Sequence, residues 1–348
     1  MKIALDTTPL STGHAVRGIG TYTRELQKGL AALAPVVELT TAADADLIHY
    51  PFFDLFFHTL PLFSHKEVVV TIHDVIPLEF PEFYSVGFKG KLAFLQQLAA
   101  LHLNPHVITD SEYSKQRIIE HLHLSEDAVT VVYLAASPLL TAQTAAACEH
   151  AKKKLKLPEK YVLYVGDINY NKNIPQLIKM LKFLPDELHL VCVGSQFFPH
   201  DIIEWRQIEQ QLVMSDVEKR VHFIADLPSA EQTLLSAVYT SALCLVQPSL
   251  SEGFGLPVLE AAQCLCPVVS SSGGSLPEVA GPSSLLVQPL AESFAEGVLQ
   301  VQAWSEKTRK ERTVIGREWA ANFSWKKVAE ETAAVYARIL ATPHANKQ

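Results

Sequence analysis

The chain is 348 residues long, 48% hydrophobic and 19% charged, with a formal net charge of -8. It is too long for one compact core and apolar enough for two, which excludes a disordered chain and favours two domains of ordinary size. The charge is spread over both halves, so neither is a nucleic-acid or lipid platform by charge alone.

Five cysteines, Cys148, Cys192, Cys244, Cys264 and Cys266, form no C-x-x-C pair, and several lie in apolar runs. They read as buried thiols in a reducing compartment, not as a zinc site or a disulfide frame. The opening MKIALDTTPL lacks the apolar length of a signal peptide, and no apolar span of about 18 residues follows. The expectation is a cytoplasmic protein, with peripheral contact at the inner face of the membrane left open.

In chain order, short apolar runs rich in β-formers begin with KIAL (2–5), LIHY (47–50), EVVVTIH (67–73), HVIT (106–109) and VTVVYL (129–134). Gly18 and Gly20 in RGIGTYT precede a helical pattern, which invites a nicotinamide reading. The fingerprint needs G-x-G-x-x-G tight against the strand, whereas here Gly18 stands well beyond Asp6 and the third position is Thr23. Glu38, near where the ribose acid would sit, is then a coincidence. The D-x-D of Asp44 and Asp46 leads into the amino end of LIHY, away from the ligand side of such a sheet, and reads as solvated. His73 and Asp74 close EVVVTIH, at the strand end where an α/β sheet exposes functional side chains. GFKGKLAFLQQLAALHL (87–103) reads as a core-facing helix with an apolar face after Lys89 and Lys91, docking on a membrane being the alternative.

A polar, alanine-rich interval over 136–158 interrupts the rhythm. It restarts with YVLYVG (161–166), LHLVCVG (188–194), VHFI (221–224), LCLVQPS (243–249) and PVVSS (267–271). Continuous apolar strands with helices between them predict parallel sheets covered on both faces, hence two doubly wound Rossmann-like domains, 1–150 and 151–324. The tail 325–341 carries Val328, Ala329, Thr332, Val335, Tyr336 and Ile339 at helical spacing, so it is an amphipathic helix that needs a partner surface.

The richest stretch is PSLSEGFGLPVLEAAQC, 248–264. A strand end delivers a loop in which Gly253 and Gly255 permit close backbone approach, and Pro257 suits the first turn of the next helix. Backbone N–H groups at such a helix start favour an anion, most naturally a diphosphate. Glu252, before the glycines, can reach past the phosphate, and Glu260, about one turn into the helix, faces back along the ligand. Carboxylates suit sugar or ribose hydroxyls as acceptors; solvated surface glutamates are the bland alternative. Lys172, after the strand YVLYVG, is a fixed cation able to neutralise a leaving phosphate.

PSLSEGFGLPVLEA resembles the Glu-x7-Glu donor signature of glycosyltransferase family 4, retaining bacterial group 1 enzymes of the GT-B fold. RGIGTYTREL, VVTIHDVIPLEFPE, ITDSEYSKQRI, YVLYVGDINYNKN, SLPEVAG and FSWKKVAEET follow in the family's order. The resemblance implies two Rossmann-like domains facing across a cleft, the first binding acceptor and the second donor, with 325–348 crossing back to the first. It also implies that Glu252 contacts the transferred sugar, that Glu260 contacts the ribose, and that Gly253, Phe254, Gly255 and Leu256 hold sugar and diphosphate through their backbone. Gly18, Arg17 and Gly166 would adjoin the donor, His73 would line the sugar pocket with Glu252 and Lys172 as the catalytic set, and Asp74 would orient it or meet the acceptor. The implied substrates are a nucleotide-diphosphate hexose of UDP-glucose or GDP-mannose type and a glycan or lipid-linked acceptor, with no metal, no cofactor and no nucleic acid. Glu278 in SLPEVAG starts a helix near the donor. The chain departs from the family pattern at Asp167 and Asn171, where many members have arginine at one or the other, and at Leu265, where glycine is usual. Those departures motivate the alternative of a catalytically weak nucleotide-sugar-binding or scaffold protein.

Overall fold

The computed structural model describes residues 1–13, 18–84, 86–104, 106–225, 227 and 231–341; Arg17 lies outside the described residues. They fall into two compact units, one made of Met1–Leu134 with the segment from Phe323 onward, the other of Ala135–Asn322.

The first unit runs β1 (Lys2–Leu5), α1 (Gly18–Ala31), β2 (Glu38–Leu39), β3 (Leu47–Tyr50), β4 (Glu67–Thr71), α2 (Ile76–Glu79), α3 (Phe88–Leu103), β5 (His106–Thr109), α4 (Glu112–Leu122) and β6 (Val129–Val131). Among the described residues its sheet is six-stranded, in the order β2-β1-β3-β4-β5-β6, with every pairing parallel. Strand residues such as Val68, Val69 and Val70 are buried on both faces, which is why the apolar runs are continuous and not alternating. Ser111 caps α4 by accepting from the Ser114 backbone N–H at 3.0 Å, the usual way of satisfying a first-turn donor.

The second unit runs α5 (Ala145–Leu155), β7 (Tyr161–Val165), α6 (Ile174–Met180), β8 (His189–Val193), α7 (Ile203–Ser215), β9 (Val221–Ile224), α8 (Gln232–Ser241), β10 (Cys244–Gln247), α9 (Leu256–Gln263), β11 (Val268–Ser271), α10 (Leu276–Val279), β12 (Leu285–Val287), α11 (Ala291–Gln302) and α12 (Glu306–Ala320). Its six described strands are ordered β12-β11-β10-β7-β8-β9, again all parallel. The last helix, α13 (Trp325–Ala341), returns to the first unit and packs on α1, with Val328, Ala329, Thr332, Val335, Tyr336 and Ile339 all buried. Among the described residues no helix is long and apolar enough to cross a membrane.

Two sequence expectations differ from the structure. Residues 135–150, read with the first domain, belong to the second unit, because α5 packs through Ala151 on Leu234 and Ala237 of α8, and the Thr141 and Gln143 backbone N–H groups donate to Ser236 and Thr240. The helix expected over 87–103 exists, but it is not core-facing throughout. Ala93, Gln97, Ala100 and Leu101 point inward, while Phe88, Leu92, Leu95 and Leu103 are exposed. Four of the five cysteines are buried and none is disulfide-bonded; burial pushes the Cys266 thiol up to about 12.

Leu265 explains its own departure from the family pattern. α9 ends in a Schellman arrangement, with Cys266 N–H donating to the Ala261 carbonyl and Leu265 N–H to that of Ala262. That geometry puts Leu265 at φ 56°, in the left-handed region where a β-carbon is strained and glycine is not. Leu265→Gly should therefore raise stability by about 0.5–1 kcal/mol, read as a higher denaturant midpoint at unchanged slope. A lower midpoint would mean that the half-buried leucine side chain outweighs the backbone strain.

Candidate active site

The second sheet grows from β7 to β8 to β9 in one direction and then returns to place β10 on the other side of β7. The carboxyl ends of β7 and β10 therefore form a topological switch point, where connections leave in opposite directions and open a crevice. The loop after β7 carries Lys172 and the loop after β10 carries Glu252. Lys172 Nζ lies 2.8 Å from both Glu252 oxygens. Glu252 Oε1 also accepts from Gln247 Nε2 at 2.8 Å and Ser249 Oγ at 2.6 Å. The carboxylate is 6% exposed, so a charge that would be costly if isolated is matched by one cation and two neutral donors. Gln247 Oε1 is itself buried without a hydrogen-bond partner.

The loop over 248–255 is clamped from two sides. From the β7 side, the Asn171 carbonyl accepts Leu250 N–H at 2.7 Å, Asn171 Nδ2 donates to the Ser251 carbonyl at 2.9 Å and Asn173 Nδ2 to that of Pro248 at 3.1 Å. From the β11 side, Ser275 donates through its backbone and its hydroxyl to the Glu252 carbonyl. A β-carbon on Gly273 would stand 2.4 Å from the Leu250 carbonyl oxygen, and one on Gly274, at φ 63°, 2.4 Å from Glu252 N, so both positions require glycine. Gly255, at φ 103°, opens α9. Glu260, one turn on, accepts from the Tyr239 hydroxyl at 2.7 Å; burial raises its pKa against the lowering influence of that hydroxyl.

In the first unit His73 follows β4 by two residues and Asp110 follows β5 directly. His73 Nδ1 lies 2.7 Å from Asp110 Oδ2, and a hydrogen bond to the Pro51 backbone also engages the ring. Burial alone would lower the imidazole pKa, but the Asp110 carboxylate overrides this and holds it above the ordinary histidine value. Tyr22 of α1 meets the His73 ring edge-on at 4.8 Å between centroids. Behind Tyr22 runs a buried polar chain: its hydroxyl is 2.9 Å from Thr71 Oγ1, Thr71 Oγ1 is 2.8 Å from His49 Nε2, and His49 Nδ1 is 2.6 Å from the hydroxyl of Tyr336 on α13. His49 is fully buried, and desolvation lowers its pKa to about 3.

The residues singled out in sequence are distributed as follows. Lys172, Glu252, Gly253, Phe254, Gly255, Leu256 and Glu260 gather around the β10–α9 connection. Glu252, expected to reach past a phosphate, instead points inward to Lys172, Gln247 and Ser249. Gly166 follows β7 directly at φ 153°, and a β-carbon there would stand 2.8 Å from the Tyr164 hydroxyl. Gly18 starts α1 exposed, with open space where a side chain would be. Asp74 accepts from Ile76 N–H at 3.0 Å, fixing the start of α2. Glu278 sits in the first turn of α10. Asp44 and Asp46 are exposed and engaged by Thr41 and by the Lys2 backbone N–H. Asn171 is a buried clamp, and the Asp167 carbonyl accepts from Tyr164 at 2.7 Å. Sequence reasoning missed Asp110, Gln247, Ser249, Gly273, Gly274 and Ser275. Asp110 was within reach of the strand-end rule that selected His73; the others act only through folding back onto Glu252. Among the described residues no cluster of three or more His, Cys, Asp and Glu side chains is arranged to hold a metal ion.

The chain matches the family described as Glycosyl transferases group 1 over residues 147–319 and that described as Glycosyltransferase Family 4 over residues 10–137. It is 28% identical over 279 residues to the O-antigen chain mannosyltransferase B of Escherichia coli, a match covering 78% of this chain and 70% of that protein. With the serotype-specific mannosyltransferase WbdA of Escherichia coli it shares 26% identity over 283 residues, 79% of this chain but 34% of WbdA, so it spans about a third of that longer relative. Among solved structures, HepE of Anabaena in complex with UDP and glucose is similar with a TM-score of 0.75 at 16% identity, covering 97% of this chain and 100% of that one. The fold is GT-B, as the motif order implied.

The buried chain behind His73 has a pH signature. Below about 6.5 the unfolded state protonates His49 while the native state, with its depressed pKa, does not, so unfolded chains bind the extra proton and stability falls as pH falls towards 3. This one group contributes a slope of about 1.4 kcal/mol per pH unit in that window. Unfolding midpoints between neutral and mildly acidic pH should decline more steeply for the wild type than for His49→Gln. Parallel declines would mean that His49 is not held neutral.

Proposed function

The chain belongs to the group 1 glycosyltransferases of family 4 type, and on that premise we propose that it transfers mannose from a nucleotide-diphosphate donor to a hydroxyl of a glycan or lipid-linked acceptor, with retention of configuration. The observation that carries the reading is the Lys172–Glu252 pair at the switch point of the second sheet, with a glycine-bearing loop leading straight into α9. Departure of a nucleotide diphosphate leaves positive charge on the sugar ring and negative charge on phosphate, so a transferase needs acceptors beside the one and a cation beside the other. Glu252 supplies the acceptor and Lys172 the cation. Without donor each neutralises the other, and the diphosphate then competes for the lysine.

In the reaction the bond from the anomeric carbon to the phosphate oxygen breaks, and a bond from that carbon to the acceptor oxygen forms on the same face. The acceptor proton passes to the departing phosphate oxygen, which spares the protein a separate general base. In the first unit Asp110 fixes the His73 ring through Nδ1. Glu260 serves the ribose, and the amides from Gly253 to Leu256 serve the sugar and diphosphate. GDP-mannose is the favoured donor, because the first of the relatives described above are mannosyltransferases; UDP-glucose is the second reading, favoured by the HepE complex.

The test is a panel of nucleotide sugars read by thermal shift and by turnover. GDP-mannose should raise the unfolding midpoint in a concentration-dependent way and be consumed; UDP-glucose doing so in its place would change the donor, and binding without consumption would favour the scaffold alternative. Glu252→Ala should mainly lower turnover and Glu260→Ala mainly weaken donor binding, each by about 1–3 kcal/mol. Equal losses of turnover with donor affinity intact would remove that division of labour. Charge neutralisation by Lys172 and helix-start amides makes the transfer metal-independent, so activity should survive EDTA; loss on chelation with recovery on adding Mn²⁺ or Mg²⁺ would overturn this.

A further inference from the structure

α3 is apolar on nearly every side, yet only one of its faces is covered. Helices of that composition are normally buried all round. Here Phe88 is 84% exposed, Leu95 61% and Leu92 49%, along a stripe that continues to Leu103. Beside it, the loop between β3 and β4 exposes Phe57 at 71% and Phe63 at 78%. This loop is fixed and not draped: the buried Gln97 of α3 donates to the Asp54 carbonyl and to Thr59 Oγ1 and accepts from the Leu60 backbone N–H. Phe56 also meets Phe94 at 6.1 Å between ring centroids. Two separate segments are thus locked into one apolar surface on the first unit.

The charge on that surface is one-sided. In a chain of net charge -8, the stretches 55–66 and 83–109 hold no aspartate or glutamate. Lys89 and Lys91 are exposed within the patch. Asp54, the acid within this loop, spends Oδ1 on the Phe56 and Phe57 backbone N–H groups. We propose that this face, α3 with the loop carrying Phe57 and Phe63, docks on an anionic lipid bilayer, its aromatic and leucine side chains entering the interface and Lys89 and Lys91 meeting the headgroups. A second copy fits less well, since a two-fold contact through the same patch brings lysine against lysine with no carboxylate to offset them. The surface belongs to the first unit and the donor loops to the second, and the proposal stands whether or not mannose is the sugar.

The experiment is flotation of the purified chain with vesicles of phosphatidylethanolamine and phosphatidylglycerol, and with vesicles of phosphatidylcholine alone. The wild type should float with the anionic vesicles, less with the neutral ones, and less at high salt. The triple variant Phe88→Ser, Leu92→Ser, Leu95→Ser should lose flotation on both, at an unchanged unfolding midpoint because all three side chains are exposed. Lys89→Gln with Lys91→Gln should weaken partition onto the anionic vesicles about 30-fold and abolish the salt dependence. A wild type that stays with the free protein, or a triple variant that floats as well as the wild type, overturns the proposal. So does a wild-type dimer that the triple variant converts to monomer without any vesicle binding, since a second copy would then cover the face.

Discussion

A buried carboxylate dictates the shape of the second unit's ligand side. Glu252 sits where water cannot solvate it, so its position is tolerable only while Lys172, Gln247 and Ser249 surround it. Those partners come from the β7 connection, from the end of β10 and from the loop after it, and the Gly273–Ser275 turn after β11 holds the backbone from behind. Any movement of one connection would strand the charge, so three loops behave as one body. Rigidity of this kind is what a site for a developing charge requires, since donors already in position need no reorganisation during reaction.

The first unit answers the same problem with a neutral solution. His49 is buried deeper than His73 and lacks a carboxylate neighbour, so it is kept uncharged and bonded through both ring nitrogens. His73, with Asp110 against Nδ1, is pushed the opposite way. Two histidines, one within β3 and one just after β4, thus differ in charge preference because of one aspartate, and Tyr22 touches both systems, bonding to Thr71 and packing against His73.

Several strands were legible almost to the residue: KIAL, LIHY and HVIT coincide with β1, β3 and β5 inside the first sheet, and VHFI with the edge strand β9. Continuous burial leaves an unmistakable apolar run. β2 and β12 were not legible, and both are edge strands of two or three residues, too short for any period to register. α13 was read with all of its buried face but Ala333, because an amphipathic stripe depends only on spacing. α3 misled, because composition reports how apolar a helix is but not whether anything covers it. At the site, the Glu252 and Lys172 positions were legible from strand ends and loop chemistry, but their mutual pairing was not. That contact joins residues 80 positions apart and exists only because β10 returns to lie beside β7. Gln247 and Ser249, inside what reads as a plain strand and loop, carried no signal of their own.

The return of α13 has a consequence for how the molecule comes into being. The Tyr336 hydroxyl closes the buried chain on His49 across 287 residues of sequence, and the face of α1 that α13 covers has no other described helix of comparable contact. A ribosome delivers residues 1–134 first, yet that unit stays unfinished until the last helix emerges, after the whole of 135–322 has been made. The second unit, continuous in sequence, can fold as soon as it clears the exit tunnel. Synthesis order and completion order are therefore inverted: the half of the protein that is made first is completed last, and it carries an uncovered apolar helix face and an unanswered buried histidine through most of translation.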